Sequence, residues 1–203
     1  MPHSPQLSFK LELPELVEKM PNFRYQLQLA GGGAEEIVGT SPERLRSFIN
    51  GAYGGKTPDG KPVFTTDEGV IEANIDHIGQ SPLMSKEMTD FYVQEYSRSG
   101  SGIHAPCNWY RTRSLNSEDE IELAKDKENF KFPMPAMLLM ADKDAALPPW
   151  MAANQHQHFA AGLKLEVLKD CSHWAMVQRP VEVNQHIGDF IKSVLGNELK
   201  AAL

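Results

Sequence analysis

One apolar run constrains the fold of this chain more than any other feature of its sequence. The segment PMPAMLLMA (133–141) is apolar throughout and is followed at once by the polar residues Asp142, Lys143 and Asp144. A short apolar run that ends in a turn is typical of a strand buried on both faces, which occurs almost only in parallel sheets covered by helices. The run therefore predicts an α/β fold with helices above and below this strand.

The residues that follow continue the alternation of helix and strand. We expect a helix over about 149–161, a strand over 163–169 and a final helix that begins near Pro180 and ends at Gly196. The sequence offers no other confident strand. Two parallel strands do not make a stable sheet. Either residues 1–131 hold further strands without a clear pattern, or the chain carries only part of its own fold, and we favour the second explanation.

The earlier part of the chain, residues 1–131, has helical rather than strand patterns. Three segments have apolar residues at helical spacing, and the second and third of them begin with a serine suited to capping a helix. They are 14–20, 41–55 and 85–99. Residues 23–29 alternate between apolar and polar side chains, which leaves a strand or a helix open there. The pattern divides the chain into a mostly helical region (1–131) and a strand–helix region (132–203).

Composition excludes several classes of function. The net charge is −7 and the sequence pI is about 5.5, so a nucleic-acid partner, which needs a basic face, is not expected. No run of 18 apolar residues exists, and the start MPHSPQLSFK lacks the apolar stretch of a signal peptide. Two cysteines cannot form a disulfide framework. We therefore expect a cytoplasmic protein without a membrane span. The oligomeric state is not decided, and a homodimer is among the states allowed.

Two polar residues follow the two predicted strands. Asp144 comes just beyond the first strand, and His173 lies in the turn DCSHW (170–174) after the second. Catalytic groups collect at the carboxyl ends of parallel strands, and an acid followed by a histidine is the closing order of the α/β-hydrolase triad. The carboxylate would then orient the imidazole, which would act as general base. Considered alone, each residue also has an ordinary structural explanation. Asp144 could cap the following helix, and His173 could be a solvated turn residue.

No nucleophile or cofactor motif accompanies this pair. The patterns G-x-S-x-G, G-x-D-x-G, G-x-x-x-x-G-K-[ST] and G-x-G-x-x-G are all absent. The glycines 31–33 follow no convincing strand and are better explained as a turn than as a phosphate loop. Neither Cys-x-x-Cys nor H-E-x-x-H occurs, so we predict no metal and no cofactor. Cys107 and Cys171 are expected to be small packed side chains.

Four segments together resemble epoxide hydrolases of the α/β-hydrolase fold. LLMADKDAALPP (138–149) and LEVLKDCSHWAMVQRPVEVNQHIGDFI (165–191) resemble the C-terminal end of their core. NFRYQLQLAGGGAEE (22–36) and CNWYRTRSLN (107–116) resemble the two cap segments that carry the family's ring-opening tyrosines. The resemblance implies an incomplete α/β-hydrolase fold. A helical cap (1–131) would precede the last two parallel strands and flanking helices of the core (132–203).

The resemblance also implies a role for each candidate residue. Tyr25 and Tyr110 would donate hydrogen bonds to the epoxide oxygen, because ring opening leaves an alkoxide that a phenol can stabilise and protonate. His173, oriented by Asp144, would activate the water that completes the reaction. Two tryptophans are expected to line the substrate pocket or to pack against other side chains, and these are Trp109 and Trp174. Without the resemblance, each tyrosine would be interpreted as a half-buried aromatic residue with a satisfied hydroxyl.

The family's first step, attack by an aspartate on an epoxide carbon, has no residue in this sequence. The segments that would carry the nucleophile (like G-H-D-W-G) and the oxyanion hole (H-G-x-P) are absent. We therefore expect a fragment that is inactive alone and whose full-length enzyme forms vicinal diols from epoxides and water through an aspartyl ester. Two alternatives stay open. One is a haloalkane dehalogenase-like or other cap-bearing hydrolase, in which Asn108 and Trp109 stabilise a halide. The other is a non-catalytic remnant or a partner-binding protein.

Overall fold

The computed structural model describes residues 12–98, 100–119 and 130–201, the stretch 197–201 by its backbone alone. The described residues form two compact units, 12–119 and 130–201. In these ranges no helix combines the length and the apolar character needed to cross a membrane. Residues 1–11, where the sequence predicts no signal peptide, lie outside them. The domain boundary predicted between residues 131 and 132 stays a prediction.

The first unit is mostly helical. Its helices are α1 (Leu13–Lys19), α2 (Tyr25–Gly31), α3 (Gly33–Val38), α4 (Pro42–Ala52), α5 (Glu72–Ile75), α6 (Lys86–Ser97), α7 (His104–Arg111) and α8 (Arg113–Asp119). A 3-10 turn, Pro21–Phe23, joins α1 to α2. Between α4 and α5, the short strands β1 (Phe64–Thr65) and β2 (Gly69–Val70) form an antiparallel hairpin.

Serine caps begin two of these helices, as the sequence predicts. The Ser41 hydroxyl accepts a hydrogen bond from the Arg44 N–H at the start of α4, and the Ser85 hydroxyl accepts one from Met88 at the start of α6. Both helices are therefore confirmed.

The sequence pattern places Met88, Phe91, Tyr92 and Tyr96 on one side of α6, but the structure buries a different face and leaves the two tyrosines half-buried. Thr89 and Val93 are buried, whereas Met88 and Phe91 are 48% and 58% exposed. The Thr89 hydroxyl donates to the Ser85 carbonyl and also lies 3.3 Å from the Asn50 amide oxygen on α4, so a polar residue is accommodated inside the helix pair.

Residues 23–29, where the alternation left a strand or a helix open, belong to a 3-10 turn and then to α2. The helix ends because Gly32 adopts a left-handed backbone with φ of 89°. A new helix, α3, starts at Gly33. The glycine triplet is therefore a corner between two helices, in agreement with its interpretation as a turn.

The second unit is built on two parallel strands in the part of the chain that the structure describes. They are β3 (Ala136–Ala141) and β4 (Leu163–Leu168), which pair residue for residue from Ala136 opposite Leu163 to Ala141 opposite Leu168. A short helix, α9 (Ala175–Gln178), and a long one, α10 (Pro180–Ala201), follow. A small core joins strand ends, turn and helix, and consists of Ala141, Leu168, Cys171 and Val183.

The prediction that β3 is buried on both faces is wrong for this chain. Residues 136–139 are half-buried, and only Met140 and Ala141 are buried. On β4, Leu165 and Val167 are 44% and 37% exposed. A two-stranded sheet has too few neighbours to cover both faces, so the apolar composition of these strands exceeds what the described residues bury.

Two further expectations for this unit are wrong. The helix predicted over 149–161 is replaced by two 3-10 turns, Pro149–Ala152 and Gln155–His158. The polar run between Asn154 and His158 has no apolar stripe to bury, which favours short turns over a continuous helix. The last helix also continues through Gly196 to Ala201, because a glycine inside a helix costs only about 1 kcal/mol and need not end it.

Candidate active site

Asp144 and His173 meet beyond the carboxyl ends of the two parallel strands. The Nδ1 atom of His173 lies 3.0 Å from the Oδ2 atom of Asp144. Asp144 is 9% exposed, whereas 46% of the His173 side chain is accessible. The structure thus brings together the two residues that the sequence places after consecutive strands, with the carboxylate covered and the imidazole open.

The other carboxylate oxygen of Asp144 caps the loop that follows it. Its Oδ1 atom accepts hydrogen bonds of 2.9 Å from the N–H groups of Ala146 and Leu147. Burial acts to raise the pKa of Asp144, but the hydrogen bonds from His173, Leu147 and Ala146 outweigh it and hold that pKa below its ordinary value. The carboxylate is therefore ionised at neutral pH and acts both as a loop cap and as the partner of the histidine.

The ionised carboxylate decides which nitrogen of the imidazole faces it as a donor. A carboxylate can only accept, so Nδ1 of His173 carries a proton in this contact, and in the neutral ring Nε2 is the nitrogen with the lone pair. Trp174 packs edge-on against the imidazole, with ring centroids 5.2 Å apart. This arrangement has the form of a general base with its orienting acid.

The loops after the two strands are joined by hydrogen bonds that no sequence pattern predicts. The Cys171 N–H donates to the Asp142 carboxylate at 3.1 Å, and the Lys143 N–H donates to the Cys171 carbonyl at 2.9 Å. Next to His173, the Ser172 N–H donates to the Gln178 side chain at 2.8 Å. The first two bonds hold the turn that carries the histidine against the loop that carries the aspartate, and the third holds this turn to α9.

In the first unit, Tyr25 and Tyr110 form a pair. Their ring centroids lie 5.9 Å apart with an interplanar angle of 80°, an edge-on contact. Tyr25 is buried and also packs edge-on against Phe64, while Tyr110 is half-buried. The two tyrosines come from helices that are far apart in sequence, α2 and α7, and the structure places them in contact.

The phenol of Tyr110 is held in its protonated form. Burial raises the pKa of Tyr110 well above its ordinary value, and the neighbouring Tyr25, which shares a hydrogen bond with it, raises it further. A phenol that keeps its proton is suited to donate to an oxygen that develops negative charge.

The β1–β2 hairpin holds Tyr25 in place, a contact that no sequence pattern predicts. The Tyr25 N–H donates to the Thr66 carbonyl at 3.0 Å. One helical turn later, the Gln28 side chain accepts from the Val70 N–H at 2.6 Å and donates to the Val70 carbonyl at 2.9 Å. Gln28 therefore pairs with the hairpin as a neighbouring strand would, and only its position three residues after Tyr25 hints at this in the sequence.

The two candidate tryptophans and the two cysteines differ in how far they are buried. Trp109 lies on α7 and is 66% exposed, so its assignment to a pocket stays a prediction. Trp174 is half-buried beside His173. Cys107 and Cys171 are free and buried, and burial raises the pKa of Cys107 to about 11, so that its thiol is unreactive at neutral pH.

The chain is similar to curated epoxide hydrolases. It is 44% identical over 198 residues to epoxide hydrolase srdG of Neurospora crassa, a match that covers 96% of this chain and 57% of the relative. It is 27% identical to bifunctional epoxide hydrolase 2 of Rattus norvegicus, over 97% of this chain and 34% of the rat protein. The chain thus spans between about a third and somewhat over half of these relatives. It matches no protein-family model.

Solved structures of epoxide hydrolases share the fold. VrEH1 from Vigna radiata matches 95% of this chain and 59% of its own length, with a TM-score of 0.70 at 16% identity. Epoxide hydrolase A from Mycobacterium thermoresistibile matches 91% of this chain and 58% of its own, with a TM-score of 0.60 at 23% identity. In sequence and in fold, this chain is a relative of the epoxide hydrolases of the α/β-hydrolase fold, and it matches a C-terminal part of them.

Proposed function

We propose that this chain supplies the general base and the epoxide-oxygen donors of an epoxide hydrolase, which converts an epoxide and water into a vicinal diol. The observation that carries this proposal is the contact between the Tyr25 and Tyr110 rings. An acid–histidine pair suits many hydrolytic reactions, whereas two protonated phenols side by side suit an oxygen that leaves a strained ring as an alkoxide. The similarity to proteins named epoxide hydrolases supports the same substrate class.

The first step opens the ring. A carboxylate oxygen attacks an epoxide carbon, the carbon–oxygen bond of the ring breaks, and its electron pair stays on the departing oxygen. A phenol proton from the tyrosine pair passes to that oxygen, and the substrate is left as a hydroxyalkyl ester. No residue of this chain has the sequence context of the attacking carboxylate, so we assign it to a segment outside these 203 residues.

The second step cleaves the ester. His173 Nε2 takes a proton from water, whose oxygen attacks the ester carbonyl carbon, and the acyl–oxygen bond breaks to release the diol. Asp144 stabilises the imidazolium that forms meanwhile. Of the two water protons, one ends on the diol and the other restores the phenol, so that every group returns to its starting state.

The exposure of two side chains argues against the haloalkane alternative. A halide would need donors in a covered site, and the candidates Asn108 and Trp109 are both exposed on α7. The Asn108 side-chain oxygen also accepts a hydrogen bond from Arg111. The tyrosines, in contrast, are buried or half-buried and in contact with each other.

The test restores the missing carboxylate. The N-terminal part of the Neurospora relative is joined ahead of this chain, and diol formation from an aryl epoxide is measured for the chimera and for the 203-residue chain alone. We expect diol from the chimera and none from the chain. In a single turnover in ¹⁸O-labelled water, the new hydroxyl of the diol should carry unlabelled oxygen, because it comes from the carboxylate.

We predict that Tyr25→Phe and Tyr110→Phe each lower kcat of the chimera by on the order of 10²-fold, the usual contribution of a positioned proton donor. Tyr92→Phe, the same chemical change at a tyrosine outside the pair, is the matched control and should leave kcat within about twofold of the parent. Full activity in both pair variants would refute the assigned role. Diol formation by the 203-residue chain alone would refute the assignment of the nucleophile to a segment outside it.

A further inference from the structure

An ion pair joins α7, the helix that carries Tyr110, to α3, the helix that follows the one that carries Tyr25. Glu35 lies in the first turn of α3 and Arg111 is the last residue of α7, and the Arg111 Nη2 atom donates to the Glu35 Oε1 atom. Their side chains are 23% and 26% exposed. Solvent and salt screen such a partly buried pair less than they screen a surface pair.

Arg111 also binds the end of the helix that begins with Tyr25. Its Nε atom donates to the carbonyl of Ala30 at 3.1 Å, in the last turn of α2. Carbonyls in that turn lack partners within the helix, and a cation there is favoured by the helix dipole. One side chain therefore ties α7, immediately after Tyr110, to the far end of the helix that Tyr25 starts.

Glu35 holds both ends of α7. Its second oxygen lies 2.9 Å from Nδ1 of His104, the first residue of that helix, while its first oxygen accepts from Arg111, the last. Burial acts to raise the pKa of Glu35, but the hydrogen bonds with Arg111 and His104 outweigh it and lower that pKa. The carboxylate is thus ionised at neutral pH, as this double role requires.

We propose that the Glu35–Arg111 ion pair is the positioning device that sets the spacing of the Tyr25 and Tyr110 phenols, an inference that rests on the function proposed above. Neither residue is assigned contact with the substrate. They act through α2, α3 and α7, whose relative placement determines whether the two rings meet at 5.9 Å. Loss of the ion pair should separate the phenols while the helices remain folded.

A second ion pair in the same unit provides the control. Arg46 and Asp90 join α4 to α6 with 40% and 47% of their side chains exposed, away from the tyrosine pair in sequence and in helix partners. Asp90→Asn removes one charge from an interhelical pair, as Glu35→Gln does. It therefore matches the chemical change without touching the proposed device.

The first measurement needs no activity. The 203-residue chain is labelled with ¹³C at the tyrosine Cζ atoms, and the NMR signals are assigned with the Tyr25→Phe and Tyr110→Phe variants. Ionisation of each phenol is then followed to pH values above about 10, where free tyrosines titrate. We expect Arg111→Met and Glu35→Gln to lower the ionisation midpoint of Tyr110 by about one pH unit or more, since it loses its contact with Tyr25 and part of its burial. Asp90→Asn should not move it. An unchanged Tyr110 midpoint in folded Glu35→Gln would overturn the proposal.

The second measurement uses the chimera. Arg111→Met and Glu35→Gln should lower kcat by about 10-fold or more with a smaller change in KM, because misplaced donors weaken the transition state. If the chimera makes no diol but the Tyr110 midpoint falls, the proposed function fails and the positioning role stands. If the tyrosine variants lose activity while both ion-pair variants keep full kcat, the positioning role fails and the function stands.

Discussion

At the scale of single residues, Asp144 does two things with one carboxylate. Oδ1 caps the loop through Ala146 and Leu147, and Oδ2 orients His173. The contacts of Asp144 are therefore compatible with both interpretations that the sequence leaves open, a cap and an orienting acid, and the catalytic role stays a prediction. An amide in its place can keep one of these roles and not the other.

Asp144→Asn should separate the two chemical steps in the chimera. Its amide can still cap the loop, but it favours the wrong tautomer of His173 or leaves the ring unoriented, so ester cleavage should slow by about 10²-fold or more while ring opening continues. Rapid-quench mass spectrometry should show the ester accumulating on the protein. Asp170→Asn, at an exposed aspartate in the same turn, is the control. Absence of ester in Asp144→Asn would contradict the role of His173 as the base of the second step.

The lowered pKa of Asp144 also predicts how stability depends on pH. A depressed folded-state pKa adds stability that is present above the unfolded value of about 3.9 and is lost as the pH falls through the folded value. The free energy of unfolding of the wild-type chain should therefore exceed that of Asp144→Asn near neutral pH, and the two should converge in acid. Chemical denaturation at several pH values measures this difference. A difference that persists undiminished below the folded pKa would be inconsistent with it.

At the scale of elements, the short hairpin shows how a small element can fix the position of a candidate catalytic residue. β1 and β2 have two residues each, yet they hold the start of α2 through Thr66 and Val70. Gly69 permits this approach, because it has a φ of 78° and a side chain there would collide with Gln28. The hairpin is thus a support for Tyr25 more than a sheet in its own right.

Gln28→Ala should therefore cost the first unit about 1–3 kcal/mol of unfolding free energy, since it leaves the N–H and carbonyl of Val70 without their side-chain partner. Gln94→Ala, the same change at an exposed position of α6, should alter stability by no more than about 0.5 kcal/mol. Urea denaturation of the full chain compares the two. Equal effects would show that Gln28 does not anchor the hairpin.

Local signals were sufficient for some elements and not for others. Ser41 and Ser85 cap their helices by contacts within four residues, so the sequence predicts both starts correctly. The sequence leaves a strand or a helix open for residues 23–29, because docking against a hairpin some forty residues away helps to fix their structure. The same distance explains why the roles of Gln28, Glu35 and Arg111 were missed, although the proximity of Asp144 and His173 followed from strand order.

At the scale of the whole molecule, the second unit exposes apolar residues on strand and helix alike. Leu165 lies on β4, and Ile187, Ile191 and Leu195 recur along α10, each between 41% and 53% exposed among the described residues. A face of this kind favours association, since burying it removes apolar surface from water. The apolar periodicity that predicts β4 and α10 also predicts that their apolar faces are buried. The prediction of burial is wrong, because the neighbours that would cover these faces are not among the described residues.

We predict that the purified 203-residue chain associates as its concentration rises and that Ile191→Lys reduces this association. The lysine places a charge in the middle of the exposed stripe of α10. Asn184→Lys adds the same charge at an exposed polar position of the same helix and should have a much smaller effect. Sedimentation velocity over a range of concentrations distinguishes the variants. A chain that remains monomeric throughout would contradict the prediction.

The register of β3 and β4 has a consequence for how this region can vary. The strands end together at Ala141 and Leu168, and Asp144 and His173 stand three and five residues further on. Two short connections, 142–144 after β3 and 169–173 after β4, lead from the strand ends to these residues. Deleting one residue from either connection would move Asp144 or His173 back by roughly 3.3 Å, more than the 3.0 Å that separates the two side chains in their hydrogen bond. Surface loops usually tolerate insertions and deletions. These two connections should instead keep their lengths among homologous chains while most of their residue types are free to change, so that gaps in an alignment collect elsewhere.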